Sequence, residues 1–378
     1  MKVKKLAALV LAGALCMTAF TGCGVDANET IATLGEQQVS AGLANFVIKY
    51  QKASYDDVYV AYYGSNVWDM DFSGSGSTLE DEVKTSIMSS LHDLYTLKAH
   101  MDDYKVTITD EEKSAISKAA EAFMKDNSEE AIKELGATKE LVEEMLTLYT
   151  IHHKMYEAII VDTDREVSDE DANMRAYSII SITTTGYTND SGTFVNYTDS
   201  EKQQVADTIE KFDKALDADD ADFKTLAESY KYTVTTGTYA KDDTSLDSEV
   251  KKAMDALKEG EISNAIKTEK TTYFAKIDKD TDEKATEENR KAIIEKRETD
   301  LYNKVLDGWQ KDDGWDVNEK VLNKIDFHHI LTLKDPNATE TSTGTSTEKS
   351  TESTEKSTES TEKTTEGTEK STEGTEKQ

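Results

Sequence analysis

Met174-Arg175-Ala176-Tyr177-Ser178-Ile179-Ile180-Ser181-Ile182 opens the stretch, Met174 to Asp278, whose reading decides the fold. Its apolar and β-branched residues read as a strand, and a Gly/Asn/Asp/Ser-rich loop bounds it downstream. A long polar helix is expected over about Asp199–Leu216. The short segment Asp222-Phe223-Lys224-Thr225-Leu226-Ala227-Glu228-Ser229-Tyr230 comes next. Further on lies Ala253-Met254-Asp255-Ala256-Leu257-Lys258-Glu259-Gly260-Glu261-Ile262-Ser263, and Thr271-Thr272-Tyr273-Phe274-Ala275-Lys276-Ile277 closes the stretch as a strand. The middle of the chain therefore reads as one small α+β unit.

Helices flank that unit on both sides. Upstream, Ile31–Gln38 reads as a short strand and turn. Ser40 then stands at an N-cap before a helix with Leu43, Phe46, Val47 and Tyr50 on its apolar face. Residues Tyr55–Ser77, aromatic and Gly/Ser-rich, read as an irregular packed loop, with Gly74–Ser77 as a linker. Leu79, Val83, Ile87, Leu91, Leu94 and Leu97 recur at spacings of three and four, which marks an amphipathic helix. Thr109 with Glu112 forms a capping-box pattern, and a third helix is expected over about Thr138–Ile160. Downstream, Glu287–Gln310 carries Ile294, Leu301, Val305 and Trp309 on one face, and Val317–Ile330 reads as a short helix and strand. None of these stripes can be hidden within its own helix, so the flanks must pack on each other.

The chain has 378 residues and a formal charge of -32, which argues against nucleic acid or an anionic surface as partner. Lys2, Lys4 and Lys5 precede the apolar run Leu6–Phe20, which is shorter than the ~20 residues of a spanning helix. Phe20-Thr21-Gly22-Cys23 then resembles a bacterial lipobox, with Phe in place of the usual Leu. Cys16 lies within the segment to be removed, so Cys23 would be the sole thiol, a lipid attachment point, and no disulfide is expected. Pro336 is the only proline and marks the end of the folded part. Beyond it Thr-Glu-Lys recurs every seven residues without apolar residues for a coiled-coil seam, which reads as a disordered tail.

The order strand, helix, Asp222–Tyr230, "ALKEGEIS" (Ala256–Ser263) and strand resembles the parvulin-type (PpiC-type) peptidyl-prolyl isomerase domain. With helices on both sides, the whole resembles the PrsA/SurA group of extracytoplasmic foldase lipoproteins. The resemblance implies a mostly α, α+β fold. A helical chaperone lobe is built from both chain ends, with the parvulin-like domain inserted and a disordered C-terminal tail. The implied boundaries are 1–22 signal peptide, 23–165 N-terminal lobe, 172–280 parvulin-like domain, 285–333 returning helix and 336–378 tail. The same resemblance implies a proline pocket lined by Ile180, Val250, Met254 and Phe274, with Ser178 facing it. Parvulins carry one histidine in the first strand and another in the last. Serine (Ser178) and phenylalanine (Phe274) stand at those positions, and all six histidines lie outside the domain.

The expected function is that of a lipid-anchored folding factor on the extracytoplasmic face of the bacterial cell membrane, binding unfolded or newly secreted polypeptides. Whether it isomerises prolines is left open by the two replaced histidines. Adjacent His152 and His153 point in different directions on a helix and are joined by no HExxH motif or Cys cluster, so no metal is expected. No cofactor and no nucleic acid are expected. The oligomeric state is open, a dimer being one option. A non-enzymatic peptide- or solute-binding surface lipoprotein is the alternative. A solute-binding protein of two α/β lobes would show repeated strand–helix units, which this chain lacks.

Overall fold

Ser40 ends a β-hairpin and begins the first long helix, its hydroxyl accepting the Leu43 N–H at 3.1 Å. In the computed structural model, which describes residues 14–16, 25–218, 221–330 and 332–334, a short ribbon pairs β1 (Ala14–Cys16) with β11 (Thr332–Lys334). The hairpin is β2 (Thr30–Leu34) and β3 (Gln37–Ser40), and the helix, α1, runs Ala41–Tyr63. The expected loop at Tyr55–Ser77 is thus corrected. Tyr55, Tyr59 and Tyr63 recur every fourth residue, meet ring to ring along one helix stripe and carry α1 two turns further. Then come α2 (Leu79–Ala99), α3 (Asp110–Asp126), α4 (Glu129–Leu135) and α5 (Lys139–Ile159). Capping boxes at Thr78/Asp81 and Thr109/Glu112 start α2 and α3.

The two ends of the described chain meet in one lobe. After the insertion, α10 (Glu283–Gln310) returns, followed by β10 (Asp316–Val317) and α11 (Glu319–Leu322). β10 pairs with β2, Val317 opposite Ala32, in a sheet of order β10-β2-β3. Val321, Leu322, Ile325 and Phe327 enter the core formed by α1 to α5. Tyr302 and Leu306 of α10 close a second core with Leu97, Val106, Ile151, Met155 and Ile159. Two stacked pairs stitch the same seam, His92 on Trp315 (centroids 4.6 Å apart) and His100 on Trp309 (4.1 Å).

Between the lobe's halves lies the small domain: α6 (Asp169–Ala172), β4 (Arg175–Thr183), β5 (Gly186–Thr188), β6 (Phe194–Asn196), α7 (Asp199–Leu216), α8 (Phe223–Ser229), β7 (Val234–Tyr239), α9 (Ser248–Asp255), β8 (Ile266–Lys267) and β9 (Thr271–Lys279). Its antiparallel sheet has the order β7-β4-β9-β8. The segment expected to be a plain loop after β4 contains the β5–β6 hairpin, whose edge carries Tyr187 against Tyr197. Residues 1–13, 17–24 and 335–378, which include Cys23 and nearly all of the signal and tail segments, lie outside the described residues.

Candidate functional site

Strand alternation decides which side chains can share a site, because successive residues point to opposite sheet faces. On one face Ile180 and Phe274, opposite each other in the ladder, pack with Ile182, Ile209, Phe212, Phe223 and Ala227 under α7 and α8. On the other, Ile179, Ala275, Ile277 and Tyr239 pack with Val250 and Met254 of α9. The sheet therefore separates the expected pocket residues. Ile180 and Phe274 lie on one side, Val250 and Met254 on the other, and one pocket lined by all four does not form. All four are at most 2 % exposed. The Phe274 ring sits 4.9 Å from Phe212, edge to face, and Phe212 in turn contacts Tyr230 and Tyr232.

Ser178 shares the Ile180 face and is the one expected site residue with a polar neighbourhood. Its Oγ–H donates to Asp278 Oδ2 at 2.5 Å, and Asp278 Oδ1 lies 3.4 Å from Lys276 Nζ. The residue directly across the ladder from Ser178 is Lys276, whereas Phe274 lies across from Ile180. The positions that face each other here are thus serine and lysine, joined by an aspartate. A register shift between Ala176 and Tyr177 brings Asp278 alongside. The hydroxyl, carboxylate and ammonium are paired among themselves, and Ser178 is 9 % exposed. Sequence reading passed over Asp278 and Lys276 because their part depends on register, which no residue pattern in this strand announces.

On the α9 side a surface groove of about 400 Å³ is lined by Asp243, Thr244, Leu246, Ser248, Lys251, Lys252 and Asp255. Lys251 Nζ stands 5.7 Å over the Tyr239 ring, whose hydroxyl accepts from Arg175 at 3.0 Å. Burial, with the nearby Asp243 charge, pushes the Tyr177 phenol above its ordinary pKa. Gly237 is needed beside it, since a Cβ there would stand 2.7 Å from the Tyr177 hydroxyl. Chemically the groove offers charge, a few hydroxyls and one leucine. Rotation about an Xaa–Pro bond calls for an apolar ring pocket and a donor aimed at the twisted amide. Here Ile180 and Phe274 are buried, and Ser178, Asp278 and Lys276 are paired among themselves.

Residues 187–292 match the family model described as the PPIC-type PPIASE domain. No curated protein matches the chain. Among solved structures, the foldase PrsA from Lactococcus lactis is 14 % identical, with 79 % of this chain and 97 % of that one covered and a TM-score of 0.31. PrsA from Streptococcus pneumoniae is 13 % identical, covering 80 % of this chain and 100 % of its own, with a TM-score of 0.28. A structure reported with the SurA-like chaperones PEB4 and Cj1289 of Campylobacter jejuni is 11 % identical, covering 77 % and 100 %, with a TM-score of 0.27. The family match begins just after β4 and runs into α10, and on it the chain carries a PPIC-type, parvulin-like domain.

Proposed function

We propose that this chain is an extracytoplasmic foldase that binds unfolded or newly secreted polypeptides and acts chiefly as a holding chaperone. A lipid on Cys23 would fix it to the cell membrane. The observation that carries the reading is a PPIC-type domain match over residues 187–292 beside Ser178, tied to Asp278 and Lys276, and Phe274, sealed under Phe212, at the two places where the resemblance to parvulins implies histidines. Such a domain keeps the fold's shape without the donors that stabilise a twisted amide. Losing one preorganised donor typically costs about 10²–10³ in rate. Holding an unfolded chain needs only accessible apolar surface and a soluble body, and the charge of -32 supports the latter.

The test has two arms. The full chain, mixed with a chemically unfolded client at equal molarity, should suppress light scattering. In the producing cell, Cys23→Ala should release the protein from the membrane fraction or leave its precursor uncleaved. Undiminished aggregation would remove the chaperone reading, and unchanged processing and fractionation would remove the anchor.

A further inference from the structure

The last turns of α1 and the loop after it hold aromatic surface that is exposed among the described residues. Tyr62 is 81 % exposed, Tyr63 52 % and Phe72 51 %, and Val58 beside them is 52 % exposed. The rings form a ladder. Tyr55 stacks on Tyr59 (5.5 Å), Tyr59 meets Tyr63 (6.5 Å), and Tyr63 meets Phe72 edge to face (5.0 Å). Its foot is buried. Trp68, 6.0 Å from Tyr59, donates its Nε1–H to Asp56 Oδ1 at 2.9 Å, and Asp56 accepts from Lys52 at 2.7 and 2.8 Å. The same Lys52 also donates to the His329 carbonyl at 2.8 Å, tying the base to the C-terminal segment.

The loop carrying Phe72 is preformed. The Asp71 carboxylate accepts the Gly74 N–H at 2.7 Å and the Gly76 N–H at 2.8 Å, and the Leu79 N–H closes onto the Met70 carbonyl at 2.8 Å. Those loop N–H bonds also hold the Asp71 carboxyl below the usual carboxylate range, the Gly76 bond foremost, so it stays anionic. Rings presented on a rigid support lose little entropy on binding. The stretch that carries them is acidic. From Ala53 to Val83 there is no Lys or Arg, whereas Asp56, Asp57, Asp69, Asp71, Glu80, Asp81 and Glu82 all fall there. Lys52 and Lys84 engage Asp56 and Glu80; Asp69, with the exposed His328 ring 3.9 Å away, and Asp71 stand exposed at the platform's rim.

We propose that Tyr62, Tyr63 and Phe72, rimmed by Asp69 and Asp71, form a docking platform for extended polypeptide segments in which Lys or Arg alternates with aromatic or proline rings. Ring faces accept both apolar rings and cations, and the exposed carboxylates select for positive charge and against negative. The inference rests on the foldase reading and gives it a client class and an address outside the PPIC-type domain.

The experiment uses the full chain and two fluorescent unstructured peptides of equal length, one alternating Lys with Phe and Pro, the other carrying Glu in place of every Lys. Wild-type protein should bind the cationic peptide about tenfold or more tightly than the acidic one, with affinity falling as salt rises. Replacing Tyr62, Tyr63 and Phe72 together by Ser should remove about tenfold of that affinity. Tyr62→Ser alone, at the most exposed position, serves if the triple variant melts early. Equal binding of both peptides, or unchanged binding by the variants, overturns the platform. A ring-dependent dimer in sedimentation would assign the surface to a second copy and likewise overturn it. Aggregation suppression by a wild-type protein that binds neither peptide sinks the platform and leaves the foldase reading standing. If suppression is absent as well, both fall.

Discussion

Phe274 fills a closed site between β9 and α7, with no exposed surface and an edge-to-face contact to Phe212. Placing there the histidine that the resemblance to parvulins implies, Phe274→His, should therefore harm the fold rather than revive chemistry. The imidazole is smaller, loses the ring contact and places two nitrogens where no donor or acceptor waits. A loss of about 3 kcal/mol is expected, read as a drop in the urea midpoint at constant slope, with no gain in isomerase rate. Wild-type stability together with a rate gain would show that the site is open after all. Ser178→Ala is milder, because Lys276 still faces Asp278; about 1 kcal/mol should be lost. Ser178 and Phe274 could be singled out in the sequence. Their surroundings could not be read there, because face and register are set by the ladder as a whole.

Elements, by contrast, were mostly written locally. The caps at Ser40 and Thr109 and the three-four spacing in α2 marked helix starts and faces that the fold uses as read, while the capping box at Thr78 was passed over. The miss at Tyr55–Tyr63 came from treating aromatic residues as loop packing when their fourfold spacing suited a helix. The junction between lobe and inserted domain is an element-scale device that composition hides. The chain holds only four arginines, Arg165, Arg175, Arg290 and Arg297, and three of them staple α10 to the extended segment that leads into the domain. Arg165 donates to Glu298 of α10 as well as to the Ile160 and Val161 carbonyls, while from α10 Arg290 donates to the Val167 carbonyl and Arg297 to the Asp164 and Glu166 carbonyls. A rigid fork suits several carbonyls at once, as a lysine ammonium does not. Arg297→Ala should lower hydrogen-exchange protection around residues 164–168 by about 1–2 kcal/mol while leaving the core of the lobe unchanged. Uniform loss across the lobe would mean the staple is global. In the same seam, burial holds His152 below its ordinary pKa, with Asp93 opposing and His153 adding to the shift. The unfolded chain then binds the proton more readily, so this residue's contribution is full above about pH 6.5 and falls as pH drops through the folded value. His152→Leu should flatten the loss of thermal stability between about pH 7 and 5 relative to wild type, and parallel curves would contradict the assignment.

At the scale of the molecule, a lobe built from both ends makes the inserted domain topologically dependent on the return of α10. Leu306, 6 % exposed in the second core, ties α10 to α2 and α5. Leu306→Ala should cost about 2–4 kcal/mol and loosen the N-terminal helices, measured as faster exchange at Leu97 and Ile151. Unaltered exchange there would mean α10 is dispensable to the lobe. The central claim is that a parvulin-like domain is retained here for shape and not for catalysis. A protease-coupled assay on an Xaa-Pro peptide, run with the full chain beside aggregation suppression, tests it most directly. Suppression at equimolar protein with proline isomerisation scarcely above the uncatalysed rate is the predicted result. A kcat/KM near about 10⁶ M⁻¹s⁻¹ or higher, within the range of efficient enzymes, would contradict it.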